Sequence, residues 1–190
     1  MRTLIAGLAC AAFTFAYRYL SFDQFSNDHF VHLARAQQML MGEWPVRDFV
    51  ETGFPLMSAL SALAQATFGP GLHTELLFIC LVYAVSAALL ATVAIRLTGS
   101  ITLGLVAAAP GVLAYPLGYS YPKYLPYAMV FIAFFAYVTR PSRGRLVLTA
   151  AAVACAFLLR HDHGVILGGA VGVALAAETV PVRLDRKSVV

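Results

Sequence analysis

Long apolar runs alternate along this chain with short polar connectors, and one connector, residues 22–71, is much longer and more polar than the others. Six runs approach the roughly 20 apolar residues that a helix needs to cross a bilayer: residues 3–22, 72–97, 101–118, 122–139, 145–160 and 164–180. The fifth is short and needs snorkelling, local thinning or burial in a bundle. Two further helices are predicted inside the long connector. From 28 to 41, Phe30, Leu33, Ala34, Leu40 and Met41 fall on one face and His29, His32 and Arg35 on the other, with Asn27 as N-cap and Gly42 as the residue after the end. Residues 54–68 are apolar but too short to span, start at Pro55 and stop at Gly69–Pro70–Gly71, and read as a helix lying flat at the interface.

The expected fold is therefore all-α: a polytopic membrane bundle of about six spans, with an outer-face loop bearing one or two interfacial helices. Composition agrees. Of 190 residues, 61% are hydrophobic and 12% charged, against roughly 25% charged in soluble domains. The apolar–polar alternation of membrane barrel strands is absent. The net charge of +4 comes from arginines near segment ends, a topology signal that gives no reason to expect nucleic acid. Cys10, Cys80 and Cys155 lie singly in apolar runs and read as inert thiols.

Orientation follows from the short loops. Arg2, Arg96, the RPSRGR connector (Arg140, Arg143, Arg145) and Arg183 share one side if there are six spans, which places that side in the cytoplasm. The connector at 22–71, the YSYPK turn and the RHDHG turn then face outward. The first run lacks a small-residue cleavage site and ends in Tyr17, Tyr19 and Phe22, as a retained anchor would. The last six residues, DRKSVV, match one frame of a widely used sequencing-library adapter. Residues 185–190 are read as a technical scar, and residues 1–184 as the N-terminal part of a longer protein.

Chemistry concentrates in the connector, which holds Asp23, Asp28, Glu43, Asp48 and Glu51. Asp28 sits in the first turn of a helix, where the dipole favours an acid by about 0.3–1 kcal/mol without any further role. Arg47, Asp48 and Glu51 are placed to pair with one another on a solvated loop. His29 and His32, three residues apart, form a polar helix face, and no second cluster makes them a metal site. On the same outer side, GYSYPKYLPY (Gly118 to Tyr127) offers Lys123 among tyrosines, and RHDHG (Arg160 to Gly164) packs four ionisable residues between two apolar runs. Such density is costly near lipid unless it is exposed or paired.

The order of an Asp at a helix start, ARAQQMLMGEWP, an aromatic–Pro–Leu and a short apolar helix ending in Phe-Gly resembles the first outer loop of GT-C glycosyltransferases. The similarity is to the branch with protein O-mannosyltransferases, the lipid A aminoarabinose transferase and the rhizobial lipopolysaccharide sugar transferases. It covers about residues 24–71. That branch has an Asp-Glu pair where this chain has Asp28–His29, and Lys-Pro-Pro-Leu where it has Gly53–Phe54–Pro55–Leu56. The resemblance implies an inverting transfer of a sugar from a polyprenyl-phosphate donor to a lipid, glycan or protein acceptor at the outer face of the cytoplasmic membrane.

In that scheme Asp28 is the catalytic base. Lys123, Arg160 and His161 hold the donor phosphate, and His29, Arg47, Asp48, Glu51 and Asp162 contact the acceptor or support the site. No resident metal or cofactor is expected, with a divalent ion left open. The partners are the lipid-linked donor and membrane lipid, and the fragment by itself is expected to be inactive. A polytopic transporter and a non-enzymatic membrane assembly subunit are the alternatives; a transporter would carry its ionisable groups at mid-membrane.

Overall fold

A computed structural model describes residues 1–25, 27–50, 53–113 and 121–179, with the backbone alone for residues 28, 121, 122, 178 and 179. Among them are eight α-helices and no strand: α1 (Arg2–Leu20), α2 (Asn27–Leu40), α3 (Pro55–Phe68), α4 (Leu72–Thr98), α5 (Ile101–Leu113), α6 (Tyr121–Thr139), α7 (Arg143–Leu159) and α8 (His161–Thr179). Each predicted helix is present. The all-α expectation holds, and the punctuation works as the residue types dictate. Pro55 occupies the first turn of α3, where its missing N–H costs nothing. Gly42, Gly69 and Gly99 take positive φ just past helix ends.

Two helices, α1 and α4, are long and apolar enough to cross a membrane. The 27 residues of α4 rise about 40 Å, whereas the 13 of α5 rise only about 20 Å. Stretches 101–113, 123–139 and 161–177 are apolar but shorter. The predicted third span, 101–118, extends into residues outside those described. So does the adapter-like tail.

The central helix is α4, which packs against α1, α5 and α6; α7 lies on α6, α8 on α7, and α2 on α3. Three apolar clusters hold this arrangement. Met57, Ile79, Val82, Tyr83 and Leu159 join α3, α4 and α7. Cys10, Ala87, Ala91, Ala108 and Val112 join α1, α4 and α5 through small side chains that let the backbones approach. Val130, Ala133, Ala152, Ala156 and Leu167 join α6, α7 and α8. Meanwhile Leu8, Phe13, Val106, Val147, Ile166 and Val173 point outward, Val173 with 71% of its surface exposed. The outer surface of this bundle is apolar.

The face of α2 is a correction. Its histidine–arginine side, expected to be a polar face, is the buried one: His29, His32 and Arg35 are buried while Phe30, Val31, Ala34 and Leu40 are exposed. Helical period alone fixes which residues share a face, not which face meets protein. Here the partner surface supplies aromatic rings: Phe22 and Phe25 meet His29 edge-on at 6.1 and 5.4 Å, and Phe54 meets His32 at 5.4 Å.

Candidate functional site

The RHDHG turn is built on a single extended residue. Arg160, with φ −164° and ψ 106°, is the sole break between α7 and α8. Because the chain reverses over one residue, the first turn of α8 lies directly on the last turn of α7, and a Cβ on Gly164 would fall 2.2 Å from the Phe157 Cα. Glycine is required there by space. Asp162, in the first turn of α8, accepts two hydrogen bonds from the Arg160 Nε, at 2.9 and 3.2 Å, and one from Nη2 at 3.1 Å. It is also favoured by the helix N-terminus.

This turn docks on the long connector. The His161 N–H donates to the Gly53 carbonyl at 3.2 Å, and the imidazole Nδ1 lies 3.4 Å from the same oxygen. The Arg160 guanidinium carbon stands 5.2 Å from the Phe54 ring centroid, in cation–π range, and Phe54 in turn meets His32 of α2. On the other side, His163 Nδ1 and the Tyr127 hydroxyl of α6 are 2.8 Å apart. The positive charge of Lys123, in the first turn of the same helix, acts on His163.

Electrostatics within the turn follow from these contacts. Burial pushes the Asp162 carboxyl upward, but the Arg160 hydrogen bonds, the His163 N–H and the two neighbouring positive charges outweigh it, so the group sits below its ordinary value of 3.8. Burial is the main reason that His163 sits below 6.5; Arg160 and Lys123 push the same way, and Asp162 only partly opposes them. At neutral pH this leaves a neutral imidazole beside a bidentate ion pair.

Elsewhere in the connector, Arg47 and Asp48 pair as anticipated. Arg47 Nε donates to both Asp48 oxygens, at 3.0 and 2.8 Å, and Asp48 accepts the Trp44 N–H at 2.7 Å. The Arg47 hydrogen bond holds the Asp48 carboxyl below 3.8, with the Trp44 N–H helping. Val46, just before Arg47, takes φ 71°, an unusual conformation for a β-branched residue. This small knot is exposed and turns on itself.

The sequence-predicted residues thus divide. Arg160, His161 and Asp162 stand together against Gly53–Phe54, with Lys123 acting on the same turn. His29 is 1% exposed among aromatic rings, a place from which it can orient α2 but not meet solvent. The backbone of Asp28 begins α2 beside it, while its side chain and Glu51 lie outside the described residues. Among the described residues no group of three or more His, Cys, Asp or Glu is arranged to hold a metal ion.

Three polar features, two buried and one half-buried, escaped sequence reasoning. Glu75 of α4 is fully buried and accepts from the Ser61 hydroxyl at 2.5 Å, with Gln65 Nε2 at 3.5 Å. Gln65 also clamps Gly71, accepting its N–H at 2.6 Å and donating to its carbonyl at 3.3 Å. Arg18 of α1 is 4% exposed, lies 4.2 Å from the Tyr83 ring centroid and donates to the Gly111 carbonyl at 2.9 Å. Tyr127 makes the His163 contact. The available signal for Arg18 and Glu75 was an ionisable residue inside an apolar run; nothing in the sequence marked Tyr127 over its neighbouring tyrosines. No family model, curated protein or solved structure matches this chain.

Proposed function

We propose that this chain is part of a multi-pass membrane glycosyltransferase that moves a sugar from a polyprenyl-phosphate donor to an acceptor at the outer face of the cytoplasmic membrane. In this reading α1 and α4 to α8 cross the bilayer, and α2 and α3 lie at its outer surface. The observation that carries the reading is the docking of the RHDHG turn on Gly53 and Phe54, since it seats the Arg160 guanidinium against the acid-bearing connector. The outward-facing apolar side chains support the membrane setting, because a hydrocarbon solvent leaves them no reason to be buried.

The chemistry is a displacement at the anomeric carbon. Asp28 takes the proton of the acceptor hydroxyl or amine as its oxygen or nitrogen bonds to the sugar carbon. The bond from that carbon to the phosphate oxygen breaks, and the electron pair leaves with the polyprenyl phosphate. The Arg160 and Lys123 cations, with the His161 imidazole beside them, face the charge that develops on the leaving oxygen, where fixed positive charge lowers the barrier most. One base opposite one leaving group gives inversion.

A transporter would carry ionisable groups midway along its spans. In α1 and α4 to α8 they lie near the helix ends, Arg18 in the last turn of α1 and Glu75 in the first turn of α4, which favours the enzyme. The test uses the full-length gene product with a polyprenyl-phosphate sugar. Asp28→Asn should abolish transfer while Arg160→Ala and Lys123→Ala raise the donor KM. Turnover retained by Asp28→Asn overturns the assignment of the base, and silence of all three variants overturns the reading.

A further inference from the structure

Tyr127, His163, Asp162 and Arg160 form one line of contacts that runs from α6 to the connector. Tyr127 packs against the cluster shared by α6, α7 and α8, with its ring centroid 6.1 Å from that of Phe131. Its hydroxyl lies 2.8 Å from His163 Nδ1, and its ring stands edge-on to the imidazole with centroids 5.4 Å apart. The other ring nitrogen, Nε2, is 3.8 Å from Asp162 Oδ2, the oxygen that also takes hydrogen bonds from Arg160 Nε and Nη2. Arg160 in turn covers the Phe54 ring.

These contacts decide where the proton of a neutral His163 sits. The carboxylate beside Nε2 favours N–H there, so Nδ1 is the acceptor and the Tyr127 O–H donates to it. A second proton goes to Nδ1, and the hydroxyl turns to accept it. The ring is half-buried, so solvent can supply that proton. The helices packed against α8 are α7 and α6. The charged and titratable groups that bear on His163 are Asp162 on α8 itself, Arg160 at the end of α7, and Lys123 and Tyr127 on α6. Histidine is the side-chain type that ordinarily changes charge between about pH 5 and 8.

With His163 neutral, Asp162 balances Arg160. With His163 protonated, the same carboxylate faces two cations and the turn gains one positive charge. An anion brought to Arg160 therefore favours the protonated ring, and by linkage the protonated ring favours the anion. We infer that His163, held by Tyr127, is a positioning residue that couples the binding of a phosphodiester at Arg160 to the uptake of a proton from solvent. The coupling rests on the proposed reading of Arg160 as a phosphate-facing cation. A sugar joined to a polyprenyl phosphate is a phosphodiester whose own charge does not change near neutral pH, so the proton must go to the protein.

The experiment is calorimetric titration of the detergent-purified full-length protein with farnesyl methyl phosphate, a phosphodiester with an isoprenoid tail and a fixed charge. Its Kd should fall about fivefold or more between about pH 8 and pH 5. Near pH ~6.5, two buffers of different ionisation enthalpy should report a proton taken up on binding. His163→Asn should flatten the Kd against pH and abolish the uptake. Tyr127→Phe removes the hydroxyl that holds the ring toward Asp162 and should weaken the pH dependence. A purely structural role for either residue would instead weaken binding equally at every pH.

Wild-type binding that is independent of pH, or that weakens in acid, overturns the coupling. So does a pH dependence that survives in His163→Asn, or one that is lost in His161→Ala, which would assign the proton to His161. If His163→Asn does not fold, Tyr127→Phe and the wild-type proton uptake decide; full pH dependence without the hydroxyl, or no uptake, overturns it. Absence of binding at any pH, or binding untouched by Arg160→Ala, defeats the reading of Arg160 itself. That failure is distinct from binding that needs Arg160 but ignores His163.

Discussion

His161 approaches Gly53 so closely that a Cβ at Gly53 would fall 1.7 Å from the imidazole Nδ1. Gly53 also takes φ +103°, a conformation that L side chains rarely adopt. Two independent constraints, steric room and backbone chirality, therefore fix glycine where the connector receives the RHDHG turn.

Gly53→Ala should lower thermal stability in detergent, with about 1–2 kcal/mol from the backbone conformation alone and more from the clash. His161→Ala removes the clashing ring and should partly rescue it. A double-mutant cycle followed by melting checks this, and the coupling should exceed about 0.5 kcal/mol. Strict additivity would mean that the turn and the connector are not in contact.

Removing the Glu75 carboxylate should be costly because its partners stay buried. Glu75→Ala leaves the Ser61 hydroxyl and the Gln65 amide without this acceptor, at about 1–3 kcal/mol for each group left unsatisfied. Glu75→Gln keeps an acceptor oxygen and should retain more of the stability. Unfolding of the two variants in parallel measures the difference.

Stability of the turn should fall in acid in two stages. His163 binds a proton less readily folded than unfolded, so the unfolded chain takes up more protons and stability drops as pH falls below about 6.5. Asp162 has the same sign and adds a further loss below about 3.8. Melting temperature against pH should show the upper step in wild type and lose it in His163→Asn. An unchanged upper step in that variant would assign it to another group.

Asp162 holds Arg160 through three hydrogen bonds, so its role in the proposed reaction is to position the cation. Asp162→Asn should raise the donor KM less than Arg160→Ala does, with kcat moving little, whereas Arg160→Ala should cost about tenfold or more. Steady-state kinetics with a varied lipid-linked donor separate these outcomes.

The exposed Arg47–Asp48 pair should contribute little to folding, since exposed ion pairs gain little against water. Arg47→Ala should leave the melting temperature unchanged. A clear drop would show that the knot at residues 44–49 packs against the rest of the protein.

Helix positions were legible because they depend on local properties: length of apolar runs, Pro55 at a start, Gly42, Gly69 and Gly99 just past ends. The grouping of the connector's acids between apolar runs, and of Lys123 and RHDHG at run ends, was likewise readable from residue types. What faces what was not. The amphipathic pattern of α2 is the same whether His29 and His32 meet solvent or Phe22, Phe25 and Phe54, and only the packed neighbours choose between them. Arg18, Glu75 and Tyr127 acquired their partners from helices up to 93 residues away in sequence, as with Arg18 and Gly111. Local periodicity fixes which side chains share a surface; burying a charge or seating one turn on another depends on the distant element that arrives there, and only the tertiary fold supplies it.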